Sequence, residues 1–523
     1  MPIIRSLVLH NFKRFYTREL DLDDQLNVLV GDNESGKSSI LLALDLALSA
    51  SRSRIESIGL EALLNRTVIK DFLSGEKKYA LLPTLLIEVY LSEGTNPDIN
   101  GKNNSKGVEC DGLRMECKPA DDFSKEIAEI LADDQPSFPF EYYEISFSTF
   151  SGTAYSGFKK HVRHLLIDSS RIDTDYATRE YTRSVYEVNS EPRNRNKLEY
   201  LYRRSKSSFG AEHLKELNKN LEGCQFSLRT DTHSNLENDL AITEDNIAIE
   251  AKGKGRQCFI KTEFALSKST TKKGIDMLLL EEPENHLSHS NMKRLVDRIA
   301  DSKQSQLIIA THSSLISSRL DLRKTILLST APSATHTSLK QLPEGTARFF
   351  MKAPDNNILE FVLSQKVILV EGDAEFILLD ALYRKHAGGS NMERDRVHVI
   401  SVGGTSFKRY LDLAKVLTIK TAVIRDNDGD YQKNCVENYA DYTAARIRVF
   451  ADENPKRGTF EICLYQDNNA ACEKAFSEGR RSLSVQDYML NNKADAAFKL
   501  LEEHAADLVA PPYIREAIEW IRG

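Results

Sequence analysis

Residues 25–44, QLNVLVGDNESGKSSILLAL, restrict what this chain can fold into more than any other stretch. A mostly apolar run, LNVLV, ends in Gly31, and G-x-x-x-x-G-K-S continues to Ser38. Beyond it, apolar residues recur at helical spacing to Leu48. Strand, glycine loop and helix in that order form the setting of a phosphate-binding loop. Gly31 and Gly36 let the backbone turn so that successive N–H groups face phosphate oxygens. Lys37 brings positive charge to the β- and γ-phosphates, and Ser38 offers a hydroxyl to Mg²⁺. The following helix aims the positive end of its dipole at the same place. Asn33, Gly36, Lys37, Ser38 and Ser39 are therefore the expected nucleotide contacts, with ATP as the expected ligand.

A chain of 523 residues has room for several domains and an ample core. With 41% hydrophobic and 28% charged residues, its composition suits a globular protein in water. No apolar run reaches the ~18–20 residues of a membrane span. The N-terminus, MPIIRSLVLHNFKRF, has no signal-peptide cleavage pattern and reads as a first strand. The 7 cysteines are scattered, none in C-x-x-C spacing, which argues for reduced thiols in a cytoplasmic protein and against a zinc site. At a net charge of −7 there is no global basic field, so nucleic acid must be met by local patches.

Along the chain, LLIEVYL at 85–91 reads as a strand, apolar apart from Glu88. Residues 94–120, rich in Gly, Asn, Asp and Lys, read as an exposed loop or hairpin. Residues 140–149 alternate, and HLLID at 164–168 is a short apolar strand. Residues 175–245 turn polar, with Leu198, Leu201, Tyr202, Leu214, Leu217 and Leu221 at helical spacing, so a helical arm is expected. Arg193, Arg195, Lys197, Arg203, Arg204 and Lys206 against Glu199 give it a basic face, which suits either DNA phosphates or plain solvation. Then IDMLLLEEPE (275–284) is a buried strand delivering Glu281 and Glu282 to its C-terminal end, and QLIIATHS (306–313) is a strand ending at His312.

These parts resemble ATPase heads of the RecF/SMC branch of ABC proteins, on the strength of NFKRF, the phosphate loop, the Walker B-like LLLEEPE and the Thr-His-Ser turn. The resemblance implies that Glu281 holds Mg²⁺ through water, that Glu282 polarises the attacking water, and that His312 contacts the γ-phosphate. AKGKGRQ (251–257) looks like a degenerate signature loop, making Gly255 and Gln257 nucleotide contacts. In such heads that loop closes on the nucleotide of the opposite head. One phosphate loop and one signature-like loop thus imply at least a homodimer with ATP at the seam.

A second pattern starts at QKVILVEGDAEF (365–376), where a strand runs into Glu371-Gly372 and a helix carries Glu375. A second strand at 397–402 leads to Gly403-Gly404 and a helix, and a third ends in Arg425-Asp426-Asn427-Asp428. This βαβαβ order predicts a small parallel sheet with acids at its C-terminal edge. Asp426 and Asp428 are two apart, so on an extended strand they face the same way, and Glu371 and Glu375 can share a helix face. Gathered carboxylates stay ionised only with cations among them. Mg²⁺ or Mn²⁺, as one or two ions, and phosphodiester hydrolysis are the expected guests and chemistry.

E-G-x-x-E, Gly-Gly and D-x-D in that order resemble a Toprim domain. An ABC-type ATPase followed by Toprim is similar to OLD-family endonucleases. That resemblance implies an α/β chain with an ATPase head in two parts (1–175 and 246–355), a helical dimerisation arm (176–245) and a Toprim nuclease domain (361–523). It makes Glu461, in GTFE, a further metal ligand beside Glu371, Glu375, Asp426 and Asp428, with Ser38 on the Mg²⁺ of ATP. It makes Lys493, in NKADAA, a catalytic lysine that neutralises charge building on the phosphate. It also implies DNA as partner and a role in bacterial anti-phage defence such as Gabija or retron systems, with a helicase or a reverse transcriptase and its DNA as associates. A non-nucleolytic RecF/SMC-like clamp with a docking Toprim is the alternative. A primase or topoisomerase is weaker, because no further domain follows to supply a tyrosine nucleophile.

Overall fold

The computed structural model describes residues 2–523 apart from 93–95, 134–136, 158–160, 170–180, 184, 187–188, 220, 222–223, 230–234, 269–274, 302–304, 314–315, 317–318, 330–336, 354–356, 405 and 478–482, and apart from the side chains of 192, 264–268, 289 and 301. The chain divides into two compact units, Met1–Ser313 with Leu328–His336, and Ser314–Leu327 with Thr337–Gly523.

The first unit opens with β1 (Ile4–Phe12), β2 (Phe15–Asp21) and β3 (Leu26–Gly31), then α1 (Lys37–Ser49). β4 (Leu85–Leu91), β5 (Asn100–Gly101), β6 (Cys110–Pro119) and β7 (Tyr143–Thr149) follow. One sheet is antiparallel, in the order β2-β1-β4-β6, with β5 and β7 both on β6. The stretch 94–120, read as an exposed loop or hairpin, does pair β5 with β6 in antiparallel fashion, but β6 runs on as a half-buried strand of the sheet. Its Leu113, Met115 and Cys117 are buried in alternation, and the intervening Arg114 and Glu116 form an ion pair at 2.7 Å. Polar residues on one face of a half-buried strand made the stretch look like a loop. Glu88 explains part of that polarity. It is fully buried and accepts from Ser105 N (2.8 Å), Arg114 Nη1 (3.1 Å) and Tyr90 OH (2.8 Å), pinning the segment between β5 and β6.

The second sheet of this unit is parallel, β3, β12 (Gln306–Ala310), β11 (Met277–Glu281) and β8 (His164–Asp168) lying side by side in that order. Leu278, Leu279, Leu280, Leu307, Ile308 and Ile309 are all buried, as continuous apolar strands in a covered parallel sheet should be. α1 packs against strands of both sheets. It is accordingly buried nearly all round, through Ile40, Leu41, Leu44 and Leu48 among others. Each such side chain contributes about 1.5–3 kcal/mol of burial. Asp45, buried on the same helix, is matched by His164 Nε2 at 2.9 Å and Arg54 Nη1 at 2.7 Å.

The expected arm is one long helix, α2 (Pro192–His213), rather than a continuous helical run. Leu214 ends it, Leu217 lies in the one-turn helix Lys215–Asn218, and Leu221 is outside helix. Leu198, Leu201 and Phe209 on α2 are exposed. A short hairpin of β9 (Thr243–Glu244) and β10 (Ile247–Ala248) leads to α3 (Lys254–Lys268), and α4 (His289–Asp301) sits between β11 and β12 in sequence.

The second unit starts with β13 (Thr325–Leu328) paired to β14 (Thr337–Ser338). Helices Glu344–Lys352 and Ile358–Leu363 bury Phe350, Ile358 and Phe361. Both are too short for helical periodicity to stand out. Next come β15 (Lys366–Val370), α5 (Asp373–His386), β16 (Val397–Ser401), α6 (Phe407–Leu417), β17 (Lys420–Ile424) and β18 (Ile447–Phe450). The sheet runs β16-β15-β17-β18, all parallel, and β18 is an addition to the three strands expected. α7 (Phe460–Asp467), α8 (Lys493–His504) and α9 (Pro512–Arg522) complete the unit, burying Phe460, Leu500, Ile514 and Ile518 in its core. No helix among the described residues is long and apolar enough to cross a membrane. Of the cysteines, Cys224 is exposed, Cys110 half-buried and the others buried, all as free thiols.

Two candidate active sites

In the first unit the phosphate loop follows β3 as expected. Gly36 has φ 100°, and a Cβ there would lie 2.4 Å from the Phe15 ring. The loop therefore rests on the turn between β1 and β2. That turn brings Lys13 and Arg14 to a cavity of about 360 Å³ that Asn33, Lys37, Ser38, Ser39 and His312 also line. Sequence reading missed Lys13 and Arg14 as site residues, although NFKRF was their signal. α1 has no side-chain cap, which leaves its first N–H groups for an anion. Lys37 is buried and donates to Gly31 O (2.7 Å) and Asp32 O (3.1 Å). Burial depresses its pKa against the pull of Glu282, Asp32, Glu281 and Glu284.

Those acids come from β11 and the loop after it. Glu281 ends the strand opposite Ala310 of β12. Glu282 is left-handed at φ 45°, its N–H held by Ala310 O at 2.8 Å. Its Oε1 lies 3.3 Å from His312 Nε2. Burial, then Glu284, pushes the Glu282 carboxyl up to about 8, while burial lowers His312. Both shifts disfavour charge, so burial works against an ion pair at this contact. The structure thus brings Lys37, Ser38, Glu281, Glu282 and His312 together. Gly255 and Gln257 lie apart from that cavity, in the first turn of α3. The Gln257 amide donates to Glu250 O (3.2 Å) and Lys252 O (2.8 Å), and a Cβ on Gly255 would meet His286 O at 2.1 Å.

In the second unit the acids collect at the C-terminal edge of the parallel sheet. Glu371 follows β15, Glu375 is buried in the first turn of α5, and Asp426 is buried just past β17. Asp426 Oδ1 accepts the Phe460 N–H at 2.8 Å, which docks the start of α7 on the sheet and places Glu461 alongside. Lys493 Nζ, from the start of α8, lies 3.1 Å from Glu461 Oε2. Burial comes first in every carboxyl shift here. It pushes Asp426 up to about 8, helped by Glu375, Glu371 and Glu461, and Glu375 up to about 7, helped by Glu461. Glu371 is raised too, by burial against the pull of Arg425. Burial opposes the charge on Lys493, yet Glu461, Asp426 and Glu375 hold its pKa above the ordinary value.

Asp428 departs from expectation. β17 ends at Ile424, so Asp426 and Asp428 do not alternate along a strand. Asp428 sits in a turn at φ 50°, half exposed, with Oδ2 3.5 Å from Arg425 Nη2. The buried Arg425 also donates to Tyr439 OH at 2.6 Å. A guanidinium beside a carboxylate cluster had no motif to announce it. Asn427, between the two aspartates, is a brace: its amide donates to Asp452 O, Asn454 O and Arg457 O at 2.6–3.3 Å.

Does this set suit a divalent cation? Glu371 Oε2 and Glu461 Oε2 are buried without a hydrogen-bond partner, the latter in an ion pair that lacks hydrogen-bond geometry. Hard carboxylate oxygens held this way match Mg²⁺ or Mn²⁺. Yet among the described residues no three His, Cys, Asp or Glu side chains converge on one point fit for an ion. The donors are assembled, and their convergence is not.

Comparison with known proteins bears on both units. The family model described as "Overcoming lysogenization defect protein-like, TOPRIM domain" matches residues 362–428, which hold Glu371, Glu375, Asp426 and Asp428. An AAA ATPase domain model matches residues 3–106, and a second AAA domain model matches 262–318. No curated protein matches the sequence. Among solved structures, the SMC head domain from Thermotoga maritima is 13% identical over 64% of this chain and 98% of that one, with a TM-score of 0.31. The C-terminal region of the Xanthomonas campestris pv. campestris OLD protein is 21% identical over 31% of this chain and 95% of its own, with a TM-score of 0.23. That of the Burkholderia pseudomallei OLD protein is 19% identical over 31% and 98%, with a TM-score of 0.24. ATPase models thus match the part that builds the phosphate loop, and a Toprim model of the kind found in overcoming-lysogenization-defect-like proteins matches the part that gathers the acids, so the chain joins an AAA-type ATPase domain to an OLD-like Toprim domain.

Proposed function

We propose that the chain is an ATP-regulated, divalent-metal-dependent DNA endonuclease that nicks or cleaves DNA at the Toprim acids. One observation carries this reading: Glu371, Glu375, Asp426 and Glu461, with Lys493, crowd near one another at the C-terminal edge of the parallel sheet. Glu371, Glu375, Asp426, Asp428 and Glu461 would hold Mg²⁺ or Mn²⁺, which when bound supplies Lewis-acid stabilisation of a phosphodiester. Lys493 steadies negative charge on the phosphate, and Asp426 keeps α7 and Glu461 in place through the Phe460 N–H.

In the head, Lys37 and Ser38 grip the nucleotide phosphates, Glu281 and Glu282 serve Mg²⁺ and water, and His312 reads the γ-phosphate. Gly255 and Gln257 would complete the site from a second copy, and the exposed Leu198, Leu201 and Phe209 on α2 favour association of the arms. A defence role beside a helicase or a reverse transcriptase and its DNA fits the family reading, as does a place in the cytoplasm.

Supercoiled plasmid with Mg²⁺ or Mn²⁺, with and without ATP, tests the reading. Wild type should nick it, Asp426→Ala should lose roughly 100-fold or more of that rate, and Lys37→Ala should change only the response to ATP. Undiminished nicking by Asp426→Ala refutes the site. A wild type that binds DNA and ATP but never nicks would favour the clamp-like alternative.

A further inference from the structure

Glu284 lies beyond the two acids that end β11 and does not line the phosphate cavity. Its Oε1 nevertheless accepts two hydrogen bonds from the turn after β12, Thr311 Oγ1 at 2.6 Å and His312 N at 2.9 Å. The same Thr311 hydroxyl accepts the Ser313 N–H at 2.9 Å. One carboxylate oxygen, working through one buried hydroxyl, thus fixes donors from three consecutive residues. The two loops are joined a second time by the Glu282 N–H on Ala310 O. Between these two ties the His312 ring stands 3.3 Å from the Glu282 carboxylate. On its other side the 282–287 loop takes Cys258 Sγ on Pro283 O at 3.6 Å and packs His286 O against Gly255 of α3. The segment is held from both directions, and Glu284 is its grip on the switch turn.

We propose that Glu284 is a positioning residue for ATP hydrolysis, holding the Thr311-His312-Ser313 turn in the shape that sets the His312 ring against Glu282. This rests on the ATPase reading of the head. A side-chain oxygen that accepts two hydrogen bonds suits the task. Displacing a catalytic group by about 1 Å can lower a rate by roughly 100-fold without weakening substrate binding.

The test compares Glu284→Ala, Glu284→Gln and Thr311→Val in the full chain. Its readouts are kcat for ATP hydrolysis and Kd for a fluorescent ATP analogue. Glu284→Ala should lose about 10–100-fold in kcat with Kd within about threefold of wild type. Thr311→Val should lose about 5–10-fold. Glu284→Gln, which keeps an oxygen acceptor at Oε1, should stay within about fivefold. Wild-type kcat in Glu284→Ala overturns the proposal. So does Glu284→Gln falling as low as Glu284→Ala, since the charge itself would then be taking part. Should Glu284→Ala not fold, Thr311→Val decides, and a wild-type rate there overturns it. A wild-type protein that neither binds nor hydrolyses ATP would instead sink the ATPase reading.

Discussion

Asp426 does two jobs with one carboxyl, docking the first turn of α7 and joining a crowd of acids. Its pKa, raised from 3.8 to about 8, means that the folded chain without metal keeps a proton which the unfolded chain releases. The associated stability is full below about pH 4 and is lost as pH rises through about 8. In EDTA the protein should therefore melt at a lower temperature at pH 8.5 than at pH 6. Asp426→Asn keeps an oxygen for the Phe460 N–H but has no proton to lose, so its melting point should exceed wild type at pH 8.5 by roughly 2–5 °C and by less at pH 6. Equal pH slopes for the two proteins would contradict this. Single residues were legible where a motif named them, as with Lys37, Glu371 and Asp426. Arg425 and Glu284 were not, because their partners come from segments distant in sequence or from a turn whose shape no spacing rule supplies. Asp428 shows the converse: its spacing was right, but the strand stops too early for alternation to apply.

At the scale of elements, the long apolar strands β3, β11, β12, β15 and β17 could be read directly, because a parallel strand covered on both faces has no polar side to disguise it. β6 was disguised by its Arg and Glu face, and the helices Glu344–Lys352 and Ile358–Leu363 by brevity. The packing of α3 on the 282–287 loop gives a prediction at this scale. With only 2.1 Å between a new Cβ and His286 O, Gly255→Ala must push α3 and the loop apart. It should cost roughly 1–3 kcal/mol in urea unfolding. A Gly255→Ala protein as stable as wild type would show that the two can separate freely.

For the whole molecule, the order of phosphate loop, Walker B-like strand and acid cluster was legible, whereas association has to be tested in solution. Replacing Leu198, Leu201 and Phe209 with serine removes three exposed apolar side chains of α2 while leaving its basic residues in place. If the arms associate, light scattering should show the triple variant dissociating at concentrations at least about tenfold higher than wild type. An unchanged mass at every dilution would place the association elsewhere. The same arm carries an opportunity in its chemistry. Cys224 is exposed while five of the other thiols are buried and Cys110 is half-buried, so a maleimide dye should react there first, and energy transfer between labelled copies would follow their coming together in real time without any engineered handle.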